Sequence, residues 1–566
     1  MGDRTRGGGV TVEADLLRRV LDALLREDHL GLAERGALGE RPGDHDWTGP
    51  WWCAPLPGNR EVRLPVAPDG FLAEYRLAHP SAVVAGQVLD TLAQVLVALA
   101  PADDPEAEQG WADFVEECAQ TLAVVRLHET ARPELYAKIR AESGAVGFRE
   151  LLHHESVAAL RDHPVHPTGR CRWGLDEADL RRYAPEFLPD LKIGWTIVPR
   201  DSVRLSPSLA AGLPDWWPEA APGRLAVPVH PLTANLDGAL LATPTLSTRT
   251  VALIDEPGVH LKLPMATATL GKRNRRTIKA GTLADGDTVH RLLRAILDRE
   301  PALRERILLA DESVWLDSAD DLLAVLVRRY PADLASDTLA PVAALLAEDP
   351  ARPGATLLDT FAARHTGGDT EAWLDTYLTL LLDWHVALWV RYGVALEAHQ
   401  QNITVAMAGG DPWLRLVYKD DDGARIDCTR LSAALGLPVT PDSFADQRMS
   451  VTGDDDLADM FITITLHLCA GALIVEHAGD DLARRARLFA LLRTRIEQAL
   501  LRWTDVADAR SVAAADAVRR RVLEAEHLPV KAMVTAGTLL PKHRLGCTDI
   551  NKHYRHAGPN YLRPRS

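Results

Sequence analysis

No two of the six cysteines (Cys53, Cys118, Cys171, Cys428, Cys469 and Cys547) are close enough to form a CxxC pair. A zinc ribbon, a thioredoxin-type redox site and an iron–sulfur cluster therefore all lack their spacing signal. Scattered cysteines in a long chain suggest reduced, mostly buried thiols and a cytoplasmic protein. Positive charge is in deficit too: 63 Lys and Arg stand against 79 Asp and Glu, a net charge of −16. That balance argues against a nucleic-acid partner but leaves room for a local basic pocket. Residues 1–12 carry two arginines with no apolar stretch after them, so no signal peptide is expected. The most apolar later segments, near 374–394 and 460–475, carry polar or charged residues at helical intervals. They read as buried helices and not as membrane spans. There is no internal repeat and no long low-complexity tract.

What is present is an ordinary globular composition: 566 residues, 47% hydrophobic and 25% charged. That length suits two to four domains of roughly 100–200 residues and needs no disulfide or structural metal. Leu16, Leu17, Val20, Leu21 and Leu24 recur at steps of three and four, which predicts an amphipathic helix over 12–36. Residues 47–68 suggest a short sheet. Residues 81–99 and 111–127 read as helices around an acidic loop at 101–108. Runs at 191–205, 225–228, 250–253 and 260–263 look like strands, and 289–346 turns helical again. A long helix over 370–392 stops at Gly393. Strands at 402–407 and 413–418 flank Gly409, Gly410, Asp411 and Pro412, a hairpin signal. The rest is mostly helical to residue 534. These shifts in pattern place boundaries near 150 and 365, giving segments 1–150, 151–365 and 366–566.

Four clusters can carry chemistry. His163-Pro-Val-His166-Pro, with Arg170 and Arg172, sets two imidazoles and two guanidiniums on one extended loop, since proline disfavours helix at the residue before it. Thr245, Ser247 and Arg249 fall on one side at period two, with Thr250, His260 and Lys262 close behind; hydroxyls and a forked guanidinium suit phosphate oxygens. Lys272–Arg276 packs four cations into five residues near Thr269. No aromatics interleave there, which favours the wall of an anion pocket over a nucleic-acid contact. Finally, Glu397, His399 and Gln401 share one face if extended; Asn402 follows, and Asp420, Asp421 and Asp422 come after the hairpin. Carboxylate and amide oxygens at that spacing can hold Mg²⁺ beside a phosphate. Each piece has an ordinary reading by itself: a basic loop, a threonine-rich strand, a solvated patch, an acidic turn.

In this order the clusters resemble the NRPS-independent siderophore synthetases, the aerobactin-synthetase-like (IucA/IucC) family. The match is carried by HPVHPTGRCRWG (163–174), YAPEF (183–187), VPVHP (227–231), PTLSTRT (244–250), HLKLP (260–264), EAHQQN (397–402) and DDDG (420–423). The resemblance implies an α+β synthetase of thumb (1–150), fingers (151–365) and palm (366–566), the palm kinase-like and mostly helical. It implies ATP and Mg²⁺ in a cleft between fingers and palm. The implied chemistry is adenylation of a polycarboxylic acid, then condensation with an amine or alcohol. By the same resemblance His166, Arg170, Ser247, Arg249, Thr250, Lys262 and Gln401 face ATP. Glu397, Asn402 and Asp420 face the metal, and Thr269, Arg273 and His399 hold the acid. A homodimer in the cytoplasm, with no nucleic-acid or membrane partner, completes the expectation. Arg170 stands where the family usually has Lys, Leu232-Thr233 replaces a frequent Trp-Gln, and Lys419-Asp420 replaces Arg-Asp. The resemblance implies citrate, 2-oxoglutarate or a citryl intermediate as the acid. Leu270 stands where a polar residue is common, which counts against citrate in particular and leaves 2-oxoglutarate, a succinyl or a citryl monoamide substrate open. Two other readings are a kinase-like phosphotransferase and a siderophore-binding or ferric-reductase protein. Reductases need clustered cysteines, and Cys469 and Cys547 are far apart in sequence.

Overall fold

The leucine spacing near the N-terminus does build a helix, Val12–Arg26. Its Thr11 side chain caps the amide of Ala14, and Leu16, Leu17, Val20, Leu21 and Leu24 are all buried. A computed structural model describes residues 11–43, 45–234, 236–546 and 553–564. Cys547 and most of the 1–12 stretch therefore lie outside the described residues. The Val12–Arg26 helix packs with Leu92–Ala98 and the long helix Pro105–Ala141 against a six-stranded sheet from residues 37–89.

Two expectations change here. Only Leu92–Ala98 of the 81–99 stretch is helical, because Ala85 and Gly86 take positive φ and turn a hairpin between Ala82–Val84 and Gln87–Leu89. Residues 101–108 are a loop only to Asp104, whose side chain caps a helix opening on Pro105.

The middle of the chain forms an eight-stranded antiparallel sheet. Its order is Val203–Leu205, Asp311–Ser318, Val325–Arg329, Val259–Lys262, Thr250–Leu253, Leu240–Pro244, Leu191–Pro199 and Arg224–Val229. Residues 289–346 were expected to be helical, yet the helix Thr282–Leu297 gives way to strands. Val325, Leu326, Val327 and Arg328 are buried in succession, so the alternation that marks a half-exposed strand is missing. Register then sets the floor of the site. His260 and Lys262 share a face at period two, and His260 lies opposite Arg328. Lys262 and Arg328 are thus diagonal neighbours on one face.

A second sheet has four strands: Ile307–Leu309, Leu414–Tyr418, Ile403–Met407 and Thr338–Pro341, the first pair parallel. Two of them precede residue 365, so strand pairing crosses the boundary placed there. In the expected hairpin Ile403 lies opposite Tyr418, and the Lys419 N–H donates to the Asn402 carbonyl at 3.2 Å. Pairing therefore holds Asn402 next to Asp420. The helix Thr370–Ala387 runs behind this sheet with Trp373, Tyr377 and Trp384 fully buried. Each such indole removes roughly 150–250 Å² from water, worth about 4–6 kcal/mol before entropy. Gly393, at φ 65°, ends that run as expected. The apolar helical segment Asp455–Ala478, long enough to cross a membrane, is mostly buried in this core. Near the C-terminus the strand His527–Lys531 pairs with Tyr554–Pro559.

Candidate active site

A cleft of about 320 Å³ gathers all four sequence clusters. Arg170, Ser247, Arg249, Lys262, Thr269, Glu397, His399, Gln401, Asn402 and Asp420 all line it. His166, Thr250 and Arg273 do not.

The Thr245–Thr250 segment reaches the cleft as a hairpin turn, not as the period-two strand the spacing suggested. The amide and hydroxyl of Thr245 both donate to the Thr250 carbonyl at 2.9 Å, and Thr248 sits at φ 66°. Ser247 Oγ donates to Thr250 Oγ1 at 2.9 Å, so the buried Thr250 is spent inside the turn. Ser247, Thr248 and Arg249 form its outer face toward the cleft. The buried Glu155 anchors this turn: one oxygen accepts the Leu246 N–H at 2.9 Å and the other accepts Lys419 Nζ at 3.2 Å.

His163 takes the place expected for His166. His163 Nδ1 accepts the amides of Val165 and His166 at 3.1 and 2.9 Å, which closes the loop and leaves the ring on the wall. His166 turns inward, its Nδ1 accepting the Thr168 amide at 3.2 Å, and burial pulls its imidazole down to about 3. Arg170 and Arg172, both on the wall, are braced from behind by Glu186 of the YAPEF segment. Arg172 donates to it at 2.6 Å, and Arg170 lies 3.6 Å away.

The basic run folds on a tight turn in which the Asn274 N–H donates to the Gly271 carbonyl at 3.1 Å. That turn sends Lys272 and Arg273 away from the cleft and returns Asn274 and Arg276 to it. Arg276 is therefore the cation this run presents, pulled down to about 9 by burial and then by Arg249. Arg249 in turn donates to the carbonyls of Arg276 and Thr277 at 3.2 and 3.0 Å.

On the floor, Lys262 Nζ donates to Asp420 Oδ1 at 2.6 Å and to Asp422 Oδ2 at 3.0 Å. Arg328 donates to Asp420 Oδ1 at 2.5 Å and to Glu312 at 2.6 Å. Burial opposes charge on Asp420, but Arg328 and Lys262 outweigh it and hold the carboxyl well below its usual range. The Glu397–Asn402 loop is turned, not extended: the Asn402 N–H donates to the His399 carbonyl at 2.8 Å, and Gln400 reaches the cleft as well. Burial pulls the His399 imidazole down to about 4, so it is neutral near pH 7. Lys531 Nζ lies 3.4 Å from Glu397 Oε1 at the same wall. No group of three or more His, Cys, Asp or Glu suited to a metal occurs among the described residues. Glu397, Asn402 and Asp420 nonetheless offer two carboxylates and an amide oxygen on one cleft, hard donors that suit Mg²⁺ when phosphate oxygens complete its shell.

No motif or spacing marks Glu155, Glu312 or Arg328, which brace the cleft. Glu186 lay inside the YAPEF segment without a role, and His163 was one of the two imidazoles of the candidate anion loop.

Comparison with known proteins agrees with the geometry. The IucA / IucC family model matches residues 151–236 and 230–347. That match spans roughly a third of the chain, which resembles the IucA / IucC family over those residues. A second model, described as ferric iron reductase FhuF-like transporter, matches residues 371–545. Among curated proteins this chain is similar to the rhizobactin siderophore biosynthesis protein RhbC of Rhizobium meliloti, 25% identical over 378 residues. That alignment covers 59% of this chain and 64% of RhbC, just under two thirds of the relative's length. The petrobactin biosynthesis protein AsbB of Bacillus anthracis shares the fold at a TM-score of 0.76 and 15% identity, covering 97% of this chain and 95% of AsbB. ATP-bound aerobactin synthetase IucA of Klebsiella pneumoniae does so at 0.70 and 18%, covering 98% and 100%.

Proposed function

We propose that this protein is a siderophore-biosynthesis synthetase that uses ATP to adenylate a polycarboxylic acid and then condenses it with an amine or alcohol. One observation carries the reading. In a chain of net charge −16, Arg170, Arg249, Lys262 and Arg276 converge on one cleft with Glu397, Asn402 and Asp420. Cations at that density suit a polyphosphate, and the oxygen donors suit its metal.

In this reading an acid carboxylate oxygen attacks the α-phosphorus of ATP. The bond from that phosphorus to the bridging oxygen breaks and pyrophosphate leaves. Charge grows on the departing oxygens, which this reading assigns to Arg249 and Lys262. The amine nitrogen or hydroxyl oxygen then attacks the acyl carbon, loses its proton, and AMP departs with the old carboxylate oxygen. Ser247, Arg170 and Gln401 complete the nucleotide contacts. Thr269, His399 and Arg276 hold the acid; a neutral His399 hydrogen-bonds it without adding charge. Mg²⁺ at Glu397, Asn402 and Asp420 supplies neutralisation of the phosphate charge. The same reading takes 1–150 as thumb, 151–365 as fingers and 366–566 as palm, in a cytoplasmic homodimer.

The test is product analysis with ATP, Mg²⁺ and hydroxylamine against citrate, 2-oxoglutarate and succinate. AMP, pyrophosphate and a trapped hydroxamate with one acid support the reading. ADP and phosphate point to a phosphotransferase and overturn it. The reductase-like model match over 371–545 favours a second reading, an iron-bearing protein. Against it, both described cysteines in that span are buried: Cys428 contacts Ser450, and Cys469 donates to the Ala398 carbonyl.

A further inference from the structure

Arg273 turns from the cleft toward residues 537–538. Its N–H donates to the Gly537 carbonyl at 3.0 Å, and its guanidinium donates to the Thr538 carbonyl. The contact extends to its neighbours. The Lys272 N–H donates to Thr538 Oγ1 at 3.3 Å. A Cβ on Gly271 would stand 2.6 Å from the Gly537 Cα, so the two backbones touch, and its φ of 106° suits glycine.

The partner segment is itself tied down elsewhere. Thr538 Oγ1 donates to the buried Glu117 of Pro105–Ala141 at 2.7 Å. The amides of Val534 and Thr535 donate to the buried Glu27, at the end of Val12–Arg26, at 3.2 and 2.8 Å. Residues 531–540 thus form a strap joined to the N-terminal helices by two carboxylates and to the 269–276 loop by Arg273. At its head, Lys531 and Met533 line the cleft.

We propose that Arg273 is a positioning residue: it clasps this strap to the 269–276 loop and so sets where Lys531 and Met533 stand in the cleft. A guanidinium donating to a carbonyl is a charge-assisted bond, and it joins two segments more than 250 residues apart, as its sequence separation of 265 states. Losing such a bond is worth roughly a tenfold or greater change in local opening. Only the identity of what Lys531 and Met533 meet rests on the synthetase reading; the clasp does not.

Hydrogen exchange on the full chain tests it, with Arg273→Ala, Arg273→Lys and the neighbouring Lys272→Ala as control. Amides of 531–540 are expected to exchange about tenfold faster in Arg273→Ala, with Thr370–Ala387 unchanged. Arg273→Lys should fall between and Lys272→Ala should match the parent. In turnover, kcat should drop in Arg273→Ala with ATP affinity kept, and Arg273→Lys should recover part of it. Unchanged exchange over 531–540 together with a raised KM for the acid would make Arg273 an acid ligand and overturn the proposal. Should Arg273→Ala not fold, Arg273→Lys decides by the same readout. Failure of the parent protein to turn over any acid would count against the synthetase reading and leave the exchange result standing.

Discussion

Lys262 Nζ stands 2.6 Å from Asp420 Oδ1, and Arg328 reaches that same oxygen at 2.5 Å. Two cations on one buried carboxylate hold Asp420 ionised in the cleft floor. They also let one be removed without stranding the other charge.

Lys262→Met is therefore expected to destabilise the protein by only about 1–3 kcal/mol, since Arg328 still compensates Asp420. Arg328→Met leaves Asp420 with Lys262 but strands the buried Glu312, and should cost about 3–5 kcal/mol. Urea denaturation measures both. ATP titration should show the opposite order, with Lys262→Met weakening binding by at least about tenfold. A parent-like ATP affinity in Lys262→Met would remove Lys262 from the phosphate group.

Asp421 behaves in the reverse sense to its neighbour. Burial pushes its carboxyl up to about 6; His290, 3.5 Å away, opposes this, while Glu312 and Asp420 add to it. A carboxyl raised in the folded state contributes stability that is full below its unfolded value near 3.8 and is lost as pH rises through about 6. Asp421→Asn should remove that fall. Between pH 4 and 7 its stability curve should be flatter than the parent's, by at most about 3 kcal/mol. Parallel curves from urea melts at several pH values would refute the assignment.

How much of this could be read from the sequence follows from how local each signal is. The hairpin that places Asn402 beside Asp420 was legible because its turn residues are contiguous. The convergence of the four clusters was legible only through the family resemblance, since no spacing joins segments so far apart in the chain. The choice of Arg276 over Arg273 was not: both sit in one basic run, and the turn at Gly271–Asn274 decides which faces the cleft. His163 and His166 were indistinguishable for the same reason. Arg328 and Glu155 act only through cross-strand register and tertiary contact, which no spacing encodes. The strands Val325–Arg329 and Thr338–Pro341 were hidden because successive residues on both faces are buried.

Chelation separates the metal reading from a structural one. EDTA should abolish ATP-dependent turnover, and added Mg²⁺ should restore it. The urea midpoint should not move, because Asp420 is already compensated by Lys262 and Arg328 and no fold contact waits on a cation. A chelator-induced loss of stability would make the metal structural. Iron bound stoichiometrically to the purified protein would instead revive the reductase-like reading of 371–545.

Glu186 offers the sharpest test of the cleft wall. It is fully buried, with Arg172 at 2.6 Å, His128 at 3.3 Å and Arg170 at 3.6 Å. Burial opposes its charge, but Arg172, then His128 and Arg170, outweigh this and hold the carboxyl far below its usual value. Its contribution is therefore present above the unfolded value near 4.5 and lost only as pH falls through the depressed one. Glu186→Gln keeps the shape and removes the charge, leaving the buried Arg172 without its counterion while Arg170 keeps Asp162 at 3.6 Å. The expected cost at pH 7 is about 3–5 kcal/mol. The stability lost on acidification below pH 4.5 should shrink relative to the parent. ATP affinity should fall as well, because Arg170 and Arg172 lose the brace that aims them. If stability drops while ATP affinity stays, Glu186 serves the fold alone and the two arginines take their orientation from elsewhere on the loop.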